Sequence, residues 1–504
     1  ELDTLRSSRV QSETGELGAY EWCGTPGECG SNLEYIGRCA FKQGPAKTST
    51  TRYFDSAVTF CEPLQQVGPP RTGAGAELES LIYQSGRFRN PPRPPEEDLS
   101  RVITKLCSIS EETEVPSGFE SPEVTLSDRE IYDVMRQMKA QALAGLPYMI
   151  GRNKTKSSWF VKDPEFIVAC VRERIFKLNS IKPEDLRKLS AKELVEQGYV
   201  DPVRVFIKNE FHPVEKIKSG RFRIVCNVSL VDEIVMRLLC TKQNDSDSNN
   251  CYRGQGTAIG WDFMSGDYES ARCYESVASW AEEACTNDAS GWDWSVAEWC
   301  FDIDLEVRIK LNGAAPDSSF QRILRNVYIC LANSVFVTSD GKMYRAKFRG
   351  IQKSGLFNTG HTNSRMRNGV AFLCGCDKSI SMGDDNMSTH VDGYEEKALV
   401  YGFKLTDMRK NEPGGGFEFC SHMFYPDKCV PLNVWKGLAN LLNSRANLER
   451  LEQFRDRYRH APEIEEVERV IEKCGYLADA NENLIPNHIS YERYADLVAC
   501  LQDE

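Results

Sequence analysis

Asp384 and Asp385 stand side by side after Gly383, inside the stretch SISMGDDNMST from Ser379 to Thr389. A glycine followed by an acid suits the tip of a hairpin, because glycine accepts positive φ and aspartate bonds its own turn backbone. Ile380 and Met382 alternate with Ser379 and Ser381 on the way in, as in a short strand. Two carboxylates at one tip repel each other and, unless water solvates them, call for a compensating cation. An ordinary solvated turn fits the tripeptide too, so three other stretches bear on the choice.

In CTNDASGWDWSVAEW, from Cys285 to Trp299, Asp288 closes an expected strand and Ser290-Gly291 makes a turn. Asp293 then opens an expected helix carrying Val296, Cys300, Ile303 and Val307, and as an N-cap it would accept from first-turn amides. In GIQKSGLFNTGHTNSRMRNGVAFLCG, Ser354-Gly355 is a loop feeding a helix with Met366, Val370 and Leu373 on its apolar face. Thr359 and Asn363 are four apart, hence on one face of that helix, and a cap plus two surface polar residues is the other reading. Between a strand at Val203, Val205 and Ile207 and a return at Ile224-Val225 lies a basic cluster. It gathers Lys208, Lys216, Lys218, Arg221 and Arg223 around one glycine turn, either as a solvated hairpin or as a cationic finger for a polyanion.

Taken together, the four stretches supply what phosphoryl transfer from a nucleotide requires. Two Mg²⁺ ions roughly 3.5–4 Å apart activate a hydroxyl and neutralise a leaving pyrophosphate. Aspartates are suitable hard ligands for them, and a basic cluster offsets the triphosphate.

The strings DASGWDWS, SGLFNTGHTNS and MGDD, in that order, resemble the A, B and C motifs of RNA-dependent RNA polymerases of positive-strand RNA viruses. The tryptophan-rich first string looks most like the sobemovirus and related plant-virus enzymes, and the likeness runs from about Arg204 to Pro426. The resemblance implies that Asp288, Asp384 and Asp385 bind Mg²⁺ (or Mn²⁺). It also implies that Asp293 and Asn363, helped by Ser354, Gly355 and Thr359, recognise the ribose. KNEFHPVEKIKSGRFRIV resembles the family's basic fingertip motif, in which Lys208 and Arg223 match best and Lys216 and Arg221 align ambiguously as further nucleotide contacts. YGFKLTDMRKNE resembles the next motif, placing Lys410 where a lysine is proposed to protonate the pyrophosphate, and FEFCSHMFY resembles the primer-grip hairpin.

The likeness implies an α+β right-hand polymerase fold, closed by N-terminal fingertip connections. Residues 1–226 are the expected N-terminal extension and fingers, 227–310 and 346–426 an antiparallel palm, 311–345 a fingers insertion and 427–504 a helical thumb. The implied partners are RNA template, nascent RNA and ribonucleoside triphosphates. The family also commonly uses a genome-linked protein and other replication proteins, in a membrane-associated complex of the host cytoplasm. A reverse transcriptase and a catalytically idle RNA-binding scaffold are the alternatives. Asp293, an acceptor where a DNA polymerase usually has a bulky aromatic, and Gly383 before the acid pair both lean away from the former.

The rest of the chain must build a framework for these residues. At 504 residues it exceeds one ordinary core, and its 41% apolar content is that of a soluble globular protein. It has no apolar run long enough to span a membrane and no signal-peptide pattern. Glu1 in place of methionine fits a piece of a longer precursor or a trimmed chain. The net charge of −12 does not exclude a nucleic-acid partner, since phosphates answer to a local basic groove. Nineteen cysteines read as reduced, mostly core thiols of a cytosolic protein. Cys23, Cys29 and Cys39 fit no common zinc spacing, and they and Cys374 and Cys376 read as filler.

The first hundred residues read as irregular, ending in the stiff NPPRPP strap from Asn90 to Pro95, expected to bridge fingers to thumb. Helices are expected from a Ser127–Glu130 capping box through Leu143, from Asp163-Pro164, from a Ser190–Glu193 box and over Leu230 to Leu239. A polar loop is expected over Gln243 to Asn250, a hairpin about Asp340-Gly341 and helical structure over Val434 to Leu451 and Glu463 to Glu468.

Overall fold

The computed structural model describes residues 19–46, 49–151, 154–412 and 414–482. Two sheets organise it. A five-stranded sheet runs in the order Leu405–Lys410, Ala284–Ala289, Asp385–Thr389, Ser379–Met382, Gly256–Thr257. All of its neighbours are antiparallel except the last pair. A six-stranded sheet runs in the order Tyr20–Glu28, Leu33–Cys39, Lys342–Ala346, Val335–Val337, Val203–Ile207, Ile224–Asn227. A small sheet of Phe417–Phe419, His422–Phe424 and Cys429–Pro431 packs Phe417 and Phe424 with Ile380 and Met387 of the five-stranded sheet.

The helices Glu96–Ser108, Glu298–Asn312 and Thr359–Leu373 back the five-stranded sheet through Val102, Ile303, Val307, Met366 and Val370, all fully buried. Within this apolar layer lies a charged knot. Asp304 accepts from Arg308 Nε at 3.1 Å and Thr362 Oγ1 at 2.9 Å, and from Tyr328 and Arg365 as well; Arg365 also bonds Asp247 at 2.5 Å. Burial alone would push Asp304 upward, but Arg308 and Arg365 outweigh it and hold the carboxyl well below its ordinary range. Its stabilising charge is therefore present at neutral pH and is lost only as pH falls through that lowered value. Asp304→Asn leaves the buried Arg308 without its carboxylate and Arg365 with Asp247 alone, and is expected to cost about 3–5 kcal/mol, read from the urea midpoint at pH 7.

The knot corrects one expectation. Gln243 to Asn249 is not a loop but the last part of a helix, Leu230–Asn249, because Gln243, Asn244 and Asp247 are buried against partners. Asn244 bonds Asn358 and Asp247 bonds Arg365, contacts that no local pattern reveals.

Both capping boxes and the Asp163 cap form as expected, although the first helix stops at Gln137, short of Met138 and Leu143. The hairpin about Asp340-Gly341 also forms, pairing Val335–Val337 with Lys342–Ala346. The basic cluster contains a short helix, Val214–Lys218, rather than a bare turn. Val434 to Leu451 is two helices, Val434–Leu442 and Leu448–Tyr458, and Ile464–Lys473 is a third. The expectations for residues 1–18 and 483–504 lie outside the described residues.

The described part of the N-terminal hundred is not irregular. Leu33–Cys39 pairs with Lys342–Ala346 some three hundred residues away, and a glycine- and proline-bearing strand, Tyr20–Glu28, survives at the edge through a bulge. Nor does the proline strap reach the C-terminal helices. Pro91 packs on Gly402, and Arg93 bonds Asp302 at 2.5 Å. The bridge is Arg52–Val58 and Glu62–Gln65 instead, where Phe54, Ala57 and Leu64 join Phe211 and Leu438, Leu442 and Val467 in one core. Arg52 and Tyr53 both bond Asp479, at 2.5 Å for the phenol.

Candidate active site

Register brings the acids together. Asn386 pairs with Asn287 and Met387 with Thr286, so one step toward the tip sets Asp385 opposite Asp288. Paired residues of neighbouring antiparallel strands have Cα atoms about 4.5–5.5 Å apart, with side chains on one face. Met382 pairs with Asp385 across the turn, leaving Gly383 and Asp384 as the tip. Gly383 has φ +67°, a conformation glycine reaches without strain, and its N–H donates to Ser364 Oγ at 2.9 Å. Beneath the tip, Asn368 accepts from Ser379 and Ser381 and donates to the Gly256 carbonyl, while Asn386 donates to both serines. This buried amide–hydroxyl lattice locks the hairpin to the Thr359–Leu373 helix.

Ala284–Ala289 ends at the turn, and the helix beyond it is broken. Trp292–Ser295 stops at the extended Val296, and Glu298–Asn312 begins afresh. Asp293 is consequently no N-cap: Gly291 occupies that place, and the Asp293 carboxylate accepts from Asn363 Nδ2 at 2.9 Å.

The site is short of positive charge. Burial, followed by the negative charge of Asp384, pushes Asp293 up to about 7 against the Asn363 bond and Arg223. Burial, then Asp384 and Asp288, push Asp385 up to about 7 despite a hydrogen bond from the Cys420 thiol. Burial also raises Asp384, with Asp288 adding to the effect of crowding, while its own backbone amide, Arg223 and Arg367 oppose. Asp384 is nonetheless exposed to water at the hairpin tip.

An all-carboxylate set that resists ionisation for want of a counter-charge fits a hard divalent cation. Among the described residues, no three acid, imidazole or thiol side chains are grouped so as to hold a metal ion by themselves.

The remaining expected residues fall into three groups. Arg223 acts on Asp293 and Asp384; its guanidinium is held at 3.1 Å by Glu210, which also holds Lys208 at 2.9 Å and Lys436 at 3.6 Å. Lys216 is exposed on its short helix, and Arg221 lies over the Tyr83 ring.

Ser354 and Thr359 direct their hydroxyls to backbone. Ser354 Oγ accepts from Cys226 N at 3.1 Å, and Thr359 Oγ1 lies 2.8 Å from the Lys353 and Leu356 carbonyls. Gly355 is pressed against the same strand, where a Cβ would stand 2.1 Å from the Cys226 carbonyl oxygen. Lys410 is exposed and pairs with Cys285, three positions from Asp288 along the strand. At ~3.3 Å per residue its backbone stands roughly 10 Å along the sheet from that of Asp288.

Sequence reading missed several neighbours. Arg87, from the stretch read as irregular, donates to Ser290 Oγ at 2.9 Å and lies against Gly291. Arg367 is fully buried below the acids and bonds Asn287. Cys420 sits at the tip of the Phe417–Phe424 hairpin, where Cys420 and Ser421 both have positive φ. The hairpin itself was expected over FEFCSHMFY and forms, with Cys420-Ser421 as its turn, whereas no sequence signal singled out Arg87 or Arg367.

Residues 64–434 match a family described as viral RNA-directed RNA polymerase. The chain is 32% identical over 482 residues to a protein of Southern cowpea mosaic virus named replicase polyprotein P2AB, covering 90% of this chain and 48% of that one. It is 30% identical over 460 residues to Protein P1-P2 of potato leafroll virus, covering 84% and 41% respectively. A replicase polyprotein of cocksfoot mottle virus is 30% identical over 434 residues, with coverage of 82% and 44%. The chain thus spans less than half the length of these relatives.

Proposed function

The chain belongs to the viral RNA-directed RNA polymerase family, and on that premise we propose that it copies RNA from ribonucleoside triphosphates to replicate a viral genome. The observation that carries the reading is the register that sets Asp288 opposite Asp385 beside the Asp384 tip, with Asp293 bonded to Asn363 in the same cleft. In this reading the five-stranded sheet and its helices are a palm, and the six-stranded sheet and the basic hairpin are fingers. The helices from Val434 are a thumb tied to the fingers by Arg52–Gln65, which makes a closed right hand.

Asp288, Asp384 and Asp385 would hold the divalent ions, Mg²⁺ or Mn²⁺. Bound there, the ions lower the pKa of the attacking 3′-hydroxyl and neutralise the pyrophosphate. The protein's own groups do the rest. Asn363 holds the Asp293 carboxylate ready to accept from a ribose 2′-hydroxyl. Losing that bond in a dry site costs ~1–3 kcal/mol, which is the scale of the sugar selection expected. Arg223 and Lys208 exchange Glu210 for the triphosphate as the nucleotide arrives, since a phosphate carries more charge than one carboxylate. Arg223→Ala is accordingly expected to raise the nucleotide KM about tenfold with kcat within threefold, measured in steady state; an unchanged KM removes Arg223 from the site.

The template and nascent RNA occupy the groove between fingers and thumb. A genome-linked protein and other replication proteins are the further partners, in a membrane-associated complex of the host cytoplasm that fractionation of infected cells would test. Among the described residues no helix is long and apolar enough to cross a membrane. The deciding experiment is synthesis on a homopolymer template, with and without primer, with each metal and with ribo- and deoxynucleotides. Synthesis from ribonucleotides that depends on metal and template is expected. Equal use of deoxynucleotides would instead make it a reverse transcriptase, and no synthesis an RNA-binding scaffold.

A further inference from the structure

The loop that leads into the Thr359–Leu373 helix is unfavourable by itself. Ile351, fully buried and β-branched, has φ +67°, a conformation such residues rarely adopt and hold only when their surroundings enforce it. Gln352 beside it is buried, and neither end of its side-chain amide has a partner among the described residues.

What opposes these costs is Lys353. The residue is buried, and its Nζ donates to the carbonyls of Leu331, Ile351 (3.1 Å) and Gly350 (3.5 Å). The first belongs to the last turn of the Ser319–Ala332 helix, where free carbonyls and the helix dipole favour a cation. The other two flank the strained Ile351 itself. Among the described residues no carboxylate pairs with Lys353. Its ionisable neighbours are the thiols of Cys226 and Cys330, each pushed up to about 12 by burial and therefore neutral. Burial draws the Lys353 amine down to about 7.

The loop touches both the segment that carries Asp293 and the strand that follows Arg223. Gln352 N–H donates to the Asp293 carbonyl at 2.8 Å and Ile351 N–H to the Val296 carbonyl at 2.9 Å, so the loop braces the broken helix that carries Asp293. Ser354 Oγ, next along the chain, accepts from Cys226 N on the strand just after Arg223. Anything that lets the loop relax shifts Asp293 relative to Asn363 and Arg223 together.

We propose that Lys353 is a positioning residue: it clamps the strained Gly350–Gly355 loop to the end of the Ser319–Ala332 helix and so holds Asp293 where the ribose is read. The inference rests on the polymerase reading. It concerns sugar discrimination, taken as the ratio of kcat/KM for a ribonucleotide to that for its deoxy analogue, each measured by single-nucleotide addition on a primed RNA template.

Lys353→Met in the full chain keeps the length of the side chain and removes the donors. It is expected to lower the ratio about tenfold, a loss that general loosening of the protein would not confine to the sugar. The second variant is Ile351→Gly combined with Lys353→Met. Glycine accepts φ +67° unaided, so the double variant should recover at least half of the lost discrimination on a logarithmic scale. A ratio unchanged by Lys353→Met overturns the inference. An equal loss in both variants does the same, as does a double variant that fails to fold, since the lysine would then support the core and not the loop. A wild-type chain that adds neither nucleotide overturns the polymerase reading and the inference with it. An active wild type with an unaltered variant ratio overturns the inference alone.

Discussion

Replacing Asp384 with asparagine should lower nucleotide incorporation at least ~10³-fold, equivalent to about 4 kcal/mol of barrier. Asp384 is the hairpin tip, the one acid of the cleft carried by a turn instead of a strand or helix, and its charge reaches both Asp293 and Asp385. An amide of the same shape keeps the turn and removes the anion that a divalent ion needs.

Folding should not suffer. Burial and then the charge of Asp288 hold Asp384 above the ordinary carboxylate range, and burial with Asp384 and Asp288 pushes Asp385 up to about 7. In the absence of metal, stability therefore falls as pH rises from the ordinary carboxylate range through those raised values and levels off above them. Removing one charge lessens that fall, and the metal-free melting temperature at pH 8 should hold or rise. RNA affinity, read by filter binding, should stay within about twofold, because phosphates are attracted by basic side chains and not by this acid. A loss of tenfold or less, with the protein folded and RNA bound, would mean that Asp384 is not a ligand of the reactive ion.

Gly355→Ala should be nearly as damaging for a different reason. Its Cβ would stand 2.1 Å from the Cys226 carbonyl oxygen, a rigid backbone atom paired into the six-stranded sheet. Loop or strand must therefore yield by about 1 Å to restore contact distance, and a displacement of that size near reacting groups costs about 10²-fold in rate. The loop carries Ser354, and the strand leads directly from Arg223, so the shift separates groups that must meet around one nucleotide. Overpacking of this kind also costs about 1–3 kcal/mol of stability. Incorporation and urea unfolding measured side by side test the account. Wild-type incorporation by the alanine variant would show that the close approach of loop and strand has no catalytic consequence.

Residues whose chemistry is local could be read from the chain directly. The Ser127–Glu130 and Ser190–Glu193 boxes cap helices because both partners lie within one turn. Gly383 makes the hairpin tip because positive φ is a property of that one residue. Asp288, Asp293, Asn363 and the Asp384-Asp385 pair stood out as candidates because their order and spacing resemble those of a family, and Lys208 and Arg223 because cations cluster around one turn. The local reading failed at Asp293 as a cap, since the helix there breaks at Val296 and its side chain turns to Asn363.

The order of the residues by itself determined which side chains could do the chemistry and which turns and caps would present them, because those properties belong to a residue and its near neighbours. Only the tertiary structure decided who stands beside whom. Strand register set Asp288 against Asp385, and burial beside Arg365 and Asn358 turned a polar stretch at Gln243 into helix. Glu210 was left facing Lys208 and Arg223, and Lys353 was placed under a strained loop with no acid paired to it among the described residues. Pairings between segments many tens of residues apart are selected by packing and hydrogen-bond satisfaction over the whole core. Those energies are shared among many distant groups, and they leave no pattern in any one stretch of chain.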